Sequence, residues 1–284
     1  MQALARWVMR GTPQAAMVAL IAALIPWLFW LSAAVAALVT LRRGLGPGLP
    51  VVIAAALPAG WWWVQGDAVP LASVLLVTLM ATILRARMRW GETLIAGMLV
   101  CVVLVQSGIF LPPGGAGPLL EQVRQNSADV DAMLTELSAQ GVSSEQLAGM
   151  LIGGVTGLVV LLAAVACLAL ARSWQAGLYN PGGFRDEFHA LRLSTKELLL
   201  LVGVGVVGVL VSMPMATMLA WIPLLVAGIA LVHGWIGLKG MSGFWLVGFY
   251  VLLLTTWPTI LVVLLLAVVD TFADFRARLA GNHR

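Results

Sequence analysis

The chain has 284 residues, of which 61% are hydrophobic and only 10% charged, where an ordinary soluble domain carries about 25% charged residues. That balance, with continuous and non-alternating apolar runs from end to end, excludes a soluble domain on a single anchor and a transmembrane β-barrel. The net charge of +4 collects in loops between apolar runs, so it reports membrane topology and not nucleic-acid affinity.

The expected fold is all-α: a polytopic transmembrane helix bundle of about 8–10 segments, forming one integral membrane domain over residues 1–284. Arg6 and Arg10 ahead of an apolar run resemble a signal peptide, read here as an uncleaved first helix. Residues 13–41 are nearly all apolar, interrupted at Ile25-Pro26-Trp27 and closed by Arg42 and Arg43. A second segment over 47–64 ends in Trp61-Trp62-Trp63, an interface anchor. Asp67 marks a turn, and a third segment over 69–84 runs into Arg85, Arg87 and Arg89. A fourth covers 93–111 and is broken by Pro112-Pro113-Gly114-Gly115.

The loop 112–144 is acidic, with Glu121, Asp129, Asp131 and Glu136 against Arg124. Ser127 reads as an N-cap, and Val130, Met133, Leu134 and Leu137 make an apolar stripe. This predicts a short helix lying on the membrane or on the protein, or a cap over a pocket. Ser143 and Gln146 form a capping box that opens the segment to Ala171, where Gly149, Gly153 and Gly157 are spaced for close helix contact.

The basic loop 172–194 holds the most definite pattern. Asn180-Pro181-Gly182-Gly183 is a turn signal. A short amphipathic helix should follow, with Phe184, Phe188 and Leu191 on one face and Arg185, His189 and Arg192 on another. Asp186 and Glu187 suit its first turn, and Ser194 with Glu197 forms a capping box for the next helix. Two readings stand: a helix on the headgroup layer whose arginines neutralise anionic lipid, or a docking surface for a membrane or cytoplasmic protein. In both, the phenylalanines are expected to be buried and Arg185 and Arg192 to face phosphates or a partner.

Segment 198–211 carries Gly203, Gly205 and Gly208 and breaks at Met213-Pro214. The next contains Trp221-Ile222-Pro223 and ends near Lys239; the last, 243–269, has Trp257-Pro258 in its middle. A tail holds Asp270, Asp274, Arg276 and Arg278. Alternating the loops places Arg42, Arg43, Arg85, Arg87, Arg89, Arg172, Arg185, Arg192, Lys196 and Lys239 on one side, the cytoplasm, and the acidic loop outside. Hairpins at Pro26 and Pro258 bring the basic ends to the same side, giving ten segments with both termini inside. Their arms are short, about 12–17 residues against the roughly 20 that span a bilayer core. The alternative is eight spans with both termini outside.

Motifs for chemistry are sparse. No P-loop, dinucleotide fingerprint, HExxH or GxSxG appears, so no catalytic residue, metal site or cofactor is assigned, and the chain reads as a non-enzyme. Cys101 and Cys167 lie alone in apolar runs and read as packing residues. His189 and His283 lie in loop and tail. His233 is an intramembrane polar group: either a functional residue or one hydrogen-bonded to a neighbouring helix. Trp27, Trp61, Gln106, Trp221, Trp257 and Thr256 all fall towards the outer side, as a pocket or as an interfacial tryptophan belt.

The run Tyr179-Asn180-Pro181-Gly182-Gly183-Phe184-Arg185, continuing to Phe188 and Leu191-Arg192, resembles the signature loop of the YybS-like family of bacterial predicted membrane proteins. The exit Arg42-Arg43-Gly44 and the ending DTFADFR at 270–276 also resemble it. The layout is similar to the substrate-binding S components of energy-coupling-factor vitamin transporters and, more distantly, to the cell-shape protein MreD. The resemblance implies a bacterial inner membrane. It leads to a small-molecule binding or transport subunit as the expected function, with a membrane scaffold that recruits envelope or cytoplasmic partners as the alternative. An intramembrane enzyme ranks last, because no convergent polar constellation is visible.

Overall fold

Proline punctuation and apolar runs divide the chain into helices. The computed structural model describes residues 2–112, 114–139 and 143–281, which form fifteen α-helices with no strand among them. α1 (Gln2–Val8) leads to α2 (Thr12–Leu24), a 3-10 turn (Pro26–Leu28) and α3 (Phe29–Arg43). α4 (Leu45–Val64), α5 (Val69–Arg87) and α6 (Trp90–Gln106) follow. α7 (Gly117–Asn126) and α8 (Ala128–Ala139) make up the acidic segment, and α9 (Ser144–Tyr179) and α10 (Gly183–Ala190) come next. α11 (Thr195–Leu210), α12 (Pro214–Leu238), α13 (Phe244–Thr255), α14 (Trp257–Ala273) and α15 (Phe275–Gly281) complete the chain. Pro13, Pro70, Pro214 and Pro258 all fall in first turns, where a missing N–H costs nothing.

The protein is an all-α polytopic membrane bundle. α4, α5, α9 and α12 are each long and apolar enough to cross a bilayer, and two further apolar pairs are bent, α10 with α11 by 64° and α13 with α14 by 114°. α2 and α6 are shorter apolar helices. α9, with 36 residues, is about 54 Å long at ~1.5 Å per residue. It therefore runs past the hydrocarbon core and joins the acidic end of the bundle to the basic end.

Residues 13–41 form the expected hairpin. Arg43, closing α3, donates to Thr12 Oγ1 (3.1 Å) and to the Met9 carbonyl (2.8 Å), and Ser32 Oγ donates to the Ala19 carbonyl (2.8 Å). Both ladders require α3 to run back along α2. Near the tip, Trp62 Nε1 donates to the Ala23 carbonyl (3.0 Å), satisfying a helix-end acceptor that lipid could not. The second reversal caps itself: the Thr255 and Thr256 hydroxyls donate to the Val251 and Leu252 carbonyls at 2.7 Å each. α14 then returns to the Arg-rich end, so both ends of the described chain lie there, beside the ends of α3, α5 and α9 that carry Arg42, Arg85 and Arg172.

α3 is the hub. Ten consecutive residues, Ser32 to Leu41, are buried, walled by α2, α4, α5 and α9. Its alanines let four neighbours approach closely, the way helices associate where lipid is as apolar as they are. The glycine register on α9 differs from expectation. A Cβ on Gly153 would meet open space, whereas one on Gly154 would come within 2.2 Å of Met215 Cγ and one on Gly157 within 2.3 Å of Val105 Cγ2. The tight faces are therefore set by Gly154 and Gly157, because α9 turns that stripe towards α12 and α6.

Candidate functional site

The site is assembled at the basic end around α10. Gly182 adopts φ +90°, which a side chain would resist, and this lets the turn after Asn180 feed directly into α10. Phe184 and Phe188, one turn apart, stack on each other at 5.8 Å between centroids. Phe184 also leans on Trp90 (6.2 Å) and Phe188 meets the His233 ring edge-on (5.4 Å). Both are half-buried against the core, and not fully buried as expected, because α10 lies across the end of the bundle and only one side of each ring is covered.

Polar clamps then hold α10 in place. Arg172 of α9 grips the Glu187 carboxylate with two guanidinium nitrogens (Nε to Oε2 2.9 Å). Arg276 of α15 donates from Nη1 to the His189 and Leu191 carbonyls (2.6 and 2.9 Å), closing the open C-terminal end of α10, where a cation is favoured. Its Nη2 binds Asp270 Oδ2 (2.7 Å), and Asp270 Oδ1 accepts from the Phe275 N–H (3.0 Å). Asp270 is only 2% exposed, so residues read from sequence as a charged tail are an internal ion pair. Gly234 and Gly237 of α12 form the notch beneath: a Cβ on Gly234 would lie 3.0 Å from the His189 carbonyl oxygen, and one on Gly237 2.7 Å from the His189 ring.

Other arginines at this end have the same duty. Arg85 Nη1 donates to the Leu41 and Arg42 carbonyls at the end of α3 (2.7 Å each), and Arg42 stacks over Tyr179 at 4.1 Å. The Ser194–Glu197 capping box is formed as expected. Its Glu197 also presses on Gly91, where a Cβ would be 2.4 Å from Oε1, joining the starts of α6 and α11. Arg192 is ion-paired with Asp274, and both Arg192 and Arg185 are exposed.

The histidines separate. His233 Nε2 lies 2.8 Å from Tyr250 OH, a hydrogen bond from α12 to α13, which is the neighbouring-helix reading. His189 lies 6.3 Å from His233 between ring centroids. Burial, helped by Arg185 and Arg276 and opposed by Asp186, pushes the His189 imidazole below its usual range. His283 lies outside the described residues.

The outward pocket is not assembled from the six residues proposed for it. Trp27 is 86% exposed, Trp257 72%, Trp61 62% and Trp221 42%, and Gln106 and Thr256 are exposed as well. Their side chains lie on the perimeter, because the helices carrying them turn smaller residues inward. Trp221 alone of the six borders one of the cavities found, an apolar groove of about 440 Å³ between α11 and α12. Another apolar groove, about 230 Å³, lies between α5 and α6 and is bounded by Trp63, Leu75, Leu104 and Phe110. α7 and α8 pack on each other and on the start of α9, with Arg124 near Asp131 (3.7 Å), and line none of these cavities. Of the stripe on α8, Leu134 is buried and Met133 exposed; the side chain of Leu137 lies outside the described residues.

The polar cavities flank α10. One, about 530 Å³, is lined by Arg185, Asp186, His189, Arg192, Asp274 and Arg276 over the Gly234–Gly237 notch. The other, about 420 Å³, lies between Met88, Arg89 and Trp90 on one side and Glu187, Ala190 and Arg192 on the other. No group of three or more His, Cys, Asp or Glu side chains able to hold a metal ion occurs among the described residues. Comparison of the chain with protein-family models, curated proteins and solved structures finds no match.

Proposed function

We propose that this protein is a non-enzymatic membrane scaffold whose bundle carries a rigid docking platform at its basic end. The platform is α10 together with the α5–α6 turn. The observation that supports it most is the way α10 is held: two phenylalanines, the Arg172–Glu187 pair and the Arg276 cap fix an eight-residue helix outside the bundle. A helix serving only as a link between α9 and α11 has no need of three independent anchors, whereas a recognition surface gains affinity from being pre-organised. Around the adjoining cleft, Met88, Arg89, Ala190 and Arg192 are exposed. The charge asymmetry favours the basic end facing the cytoplasm, and the YybS-like resemblance favours a bacterial inner membrane; we adopt both.

A photo-crosslinking side chain in place of Met88 or Ala190 tests this in the membrane of the producing cell. The expected result is one discrete protein adduct common to both positions, absent with the same probe at Val209 on lipid-facing α11 and lost in Phe184→Ala/Phe188→Ala. Identical products at Ala190 and Val209 would sink the docking reading. The small-molecule reading retains one supporting feature, the apolar groove between α5 and α6, which suits an apolar ligand. A ligand co-purifying with the wild type and lost in Leu104→Trp would favour it.

A further inference from the structure

The larger polar cleft has a charge pattern that a scaffold surface does not require. Three guanidinium groups and two carboxylates line it: Arg185, Arg192 and Arg276 with Asp186 and Asp274. Arg276 is matched by the buried Asp270, and Arg192 by Asp274. Arg185 and Asp186 are left over, both exposed and adjacent at the mouth of the cleft. Arg185 does not extend freely into solvent. Its Nη2 lies 3.6 Å from where a Cβ on Gly237 would be, so it is folded over the notch in α12. The cleft therefore offers on its lining one cation and one anion without an ion-pair partner, with no net demand for a purely anionic ligand.

Its surroundings are those of the membrane interface. Leu238, on the cleft wall, is exposed, and the Trp235 and Phe275 rings pair beside it at 5.6 Å. Aromatic rings at helix ends mark headgroup depth. α14, whose capping Asp274 lines the cleft, presents Leu265, Val269 and Phe272 as an exposed stripe running away along the helix. A polar cleft at headgroup depth beside an apolar stripe matches a molecule with a charged head and long apolar chains.

We propose that this cleft binds the headgroup of a zwitterionic aminophospholipid, its phosphate on Arg185 and its primary ammonium on Asp186, with the acyl chains along α14. The guanidinium supplies paired N–H donors to phosphate oxygens, and the carboxylate accepts N–H bonds that a quaternary ammonium cannot offer. Ala190 and Arg192 border both clefts, but Arg185 and Asp186 line this one and not the cleft at Met88, so their variants test it separately from the docking reading.

The full chain, purified in detergent and stripped of lipid, is titrated with phosphatidylethanolamine, phosphatidylcholine or phosphatidylglycerol of identical acyl chains, and separately with inorganic phosphate. Binding is read by native mass spectrometry. The expected order is phosphatidylethanolamine first, with Arg185→Gln and Asp186→Asn each weakening it by roughly fivefold, the scale of one charged contact at a membrane surface. Arg185→Lys should recover part of the loss. Both residues are exposed, so the variants keep their fold, and an unchanged melting curve verifies this. Equal binding of ethanolamine and choline lipids would overturn the proposal. So would preference for phosphatidylglycerol, insensitivity to Arg185→Gln and Asp186→Asn, or full competition by inorganic phosphate at matched concentration.

Discussion

α3 and α13 invert the rule that governs soluble proteins. α13, FWLVGFYVLLLT, is almost wholly large and apolar, yet only Leu253 of its twelve residues is buried. α3, rich in alanine and carrying Ser32 and Thr40, buries ten of fifteen. In water the larger apolar side chains would be driven inward. In a bilayer they lose nothing by facing lipid, so burial goes to the helix that neighbours can approach most closely. The two regions are accordingly held by different forces. The N-terminal helices around α3 are held by close packing of small residues, and the C-terminal layer of α10 to α15 depends on polar clamps at its basic end.

Removing the strongest clamp should break that contrast most. Asp270→Ala leaves Arg276 without its buried partner and should cost about 3–5 kcal/mol, read as thermal unfolding in detergent, with α10 and α15 released first in hydrogen exchange. Ala36→Leu, which forces extra methylenes into the hub, should cost about 1–3 kcal/mol and lower the melting temperature of the whole bundle. Phe184→Ala with Phe188→Ala removes two half-buried rings, together about 2 kcal/mol, and should free α10 to proteolysis near Pro181 while the bundle stays folded. Leu254→Ala on α13, a change of the same chemical kind at an 84% exposed residue, should stay within about 0.5 kcal/mol; a loss as large as that at Ala36 would mean α13 is covered by protein.

The smallest effect is with pH. His189 faces Arg185 and Asp186 on its own helix, His233 on α12 and Arg276 on α15. Its folded pKa is lowered, so the folded state binds fewer protons than the unfolded one. The contribution is complete above the ordinary imidazole value of about 6.5 and is lost as pH falls below it. α10 should therefore loosen on acidification, with a slope in thermal melts that sets in as pH falls below about 6.5 and that His189→Gln reduces.

The helical membrane class, the breaks and the two hairpins were legible in the chain, because bilayer insertion depends on local apolar length, proline and arginine distribution. The helix at 183–190, its aromatic face and the Ser194–Glu197 box were legible for the same reason: their signals are spacings of three and four residues. The arginines were not. Arg85, Arg172 and Arg276 read as topology markers, yet each closes a helix end or an ion pair supplied from 15 to 87 residues away. The six residues that loop order assigns to one side share no cavity, because loop order assigns depth and leaves azimuth open. Local sequence determined which stretches are helices and at which end each charge lies. Which helix face meets another helix and which meets lipid was decided only in the assembled bundle: the bilayer accepts either face equally, so close packing and polar partners, both long-range, choose between them.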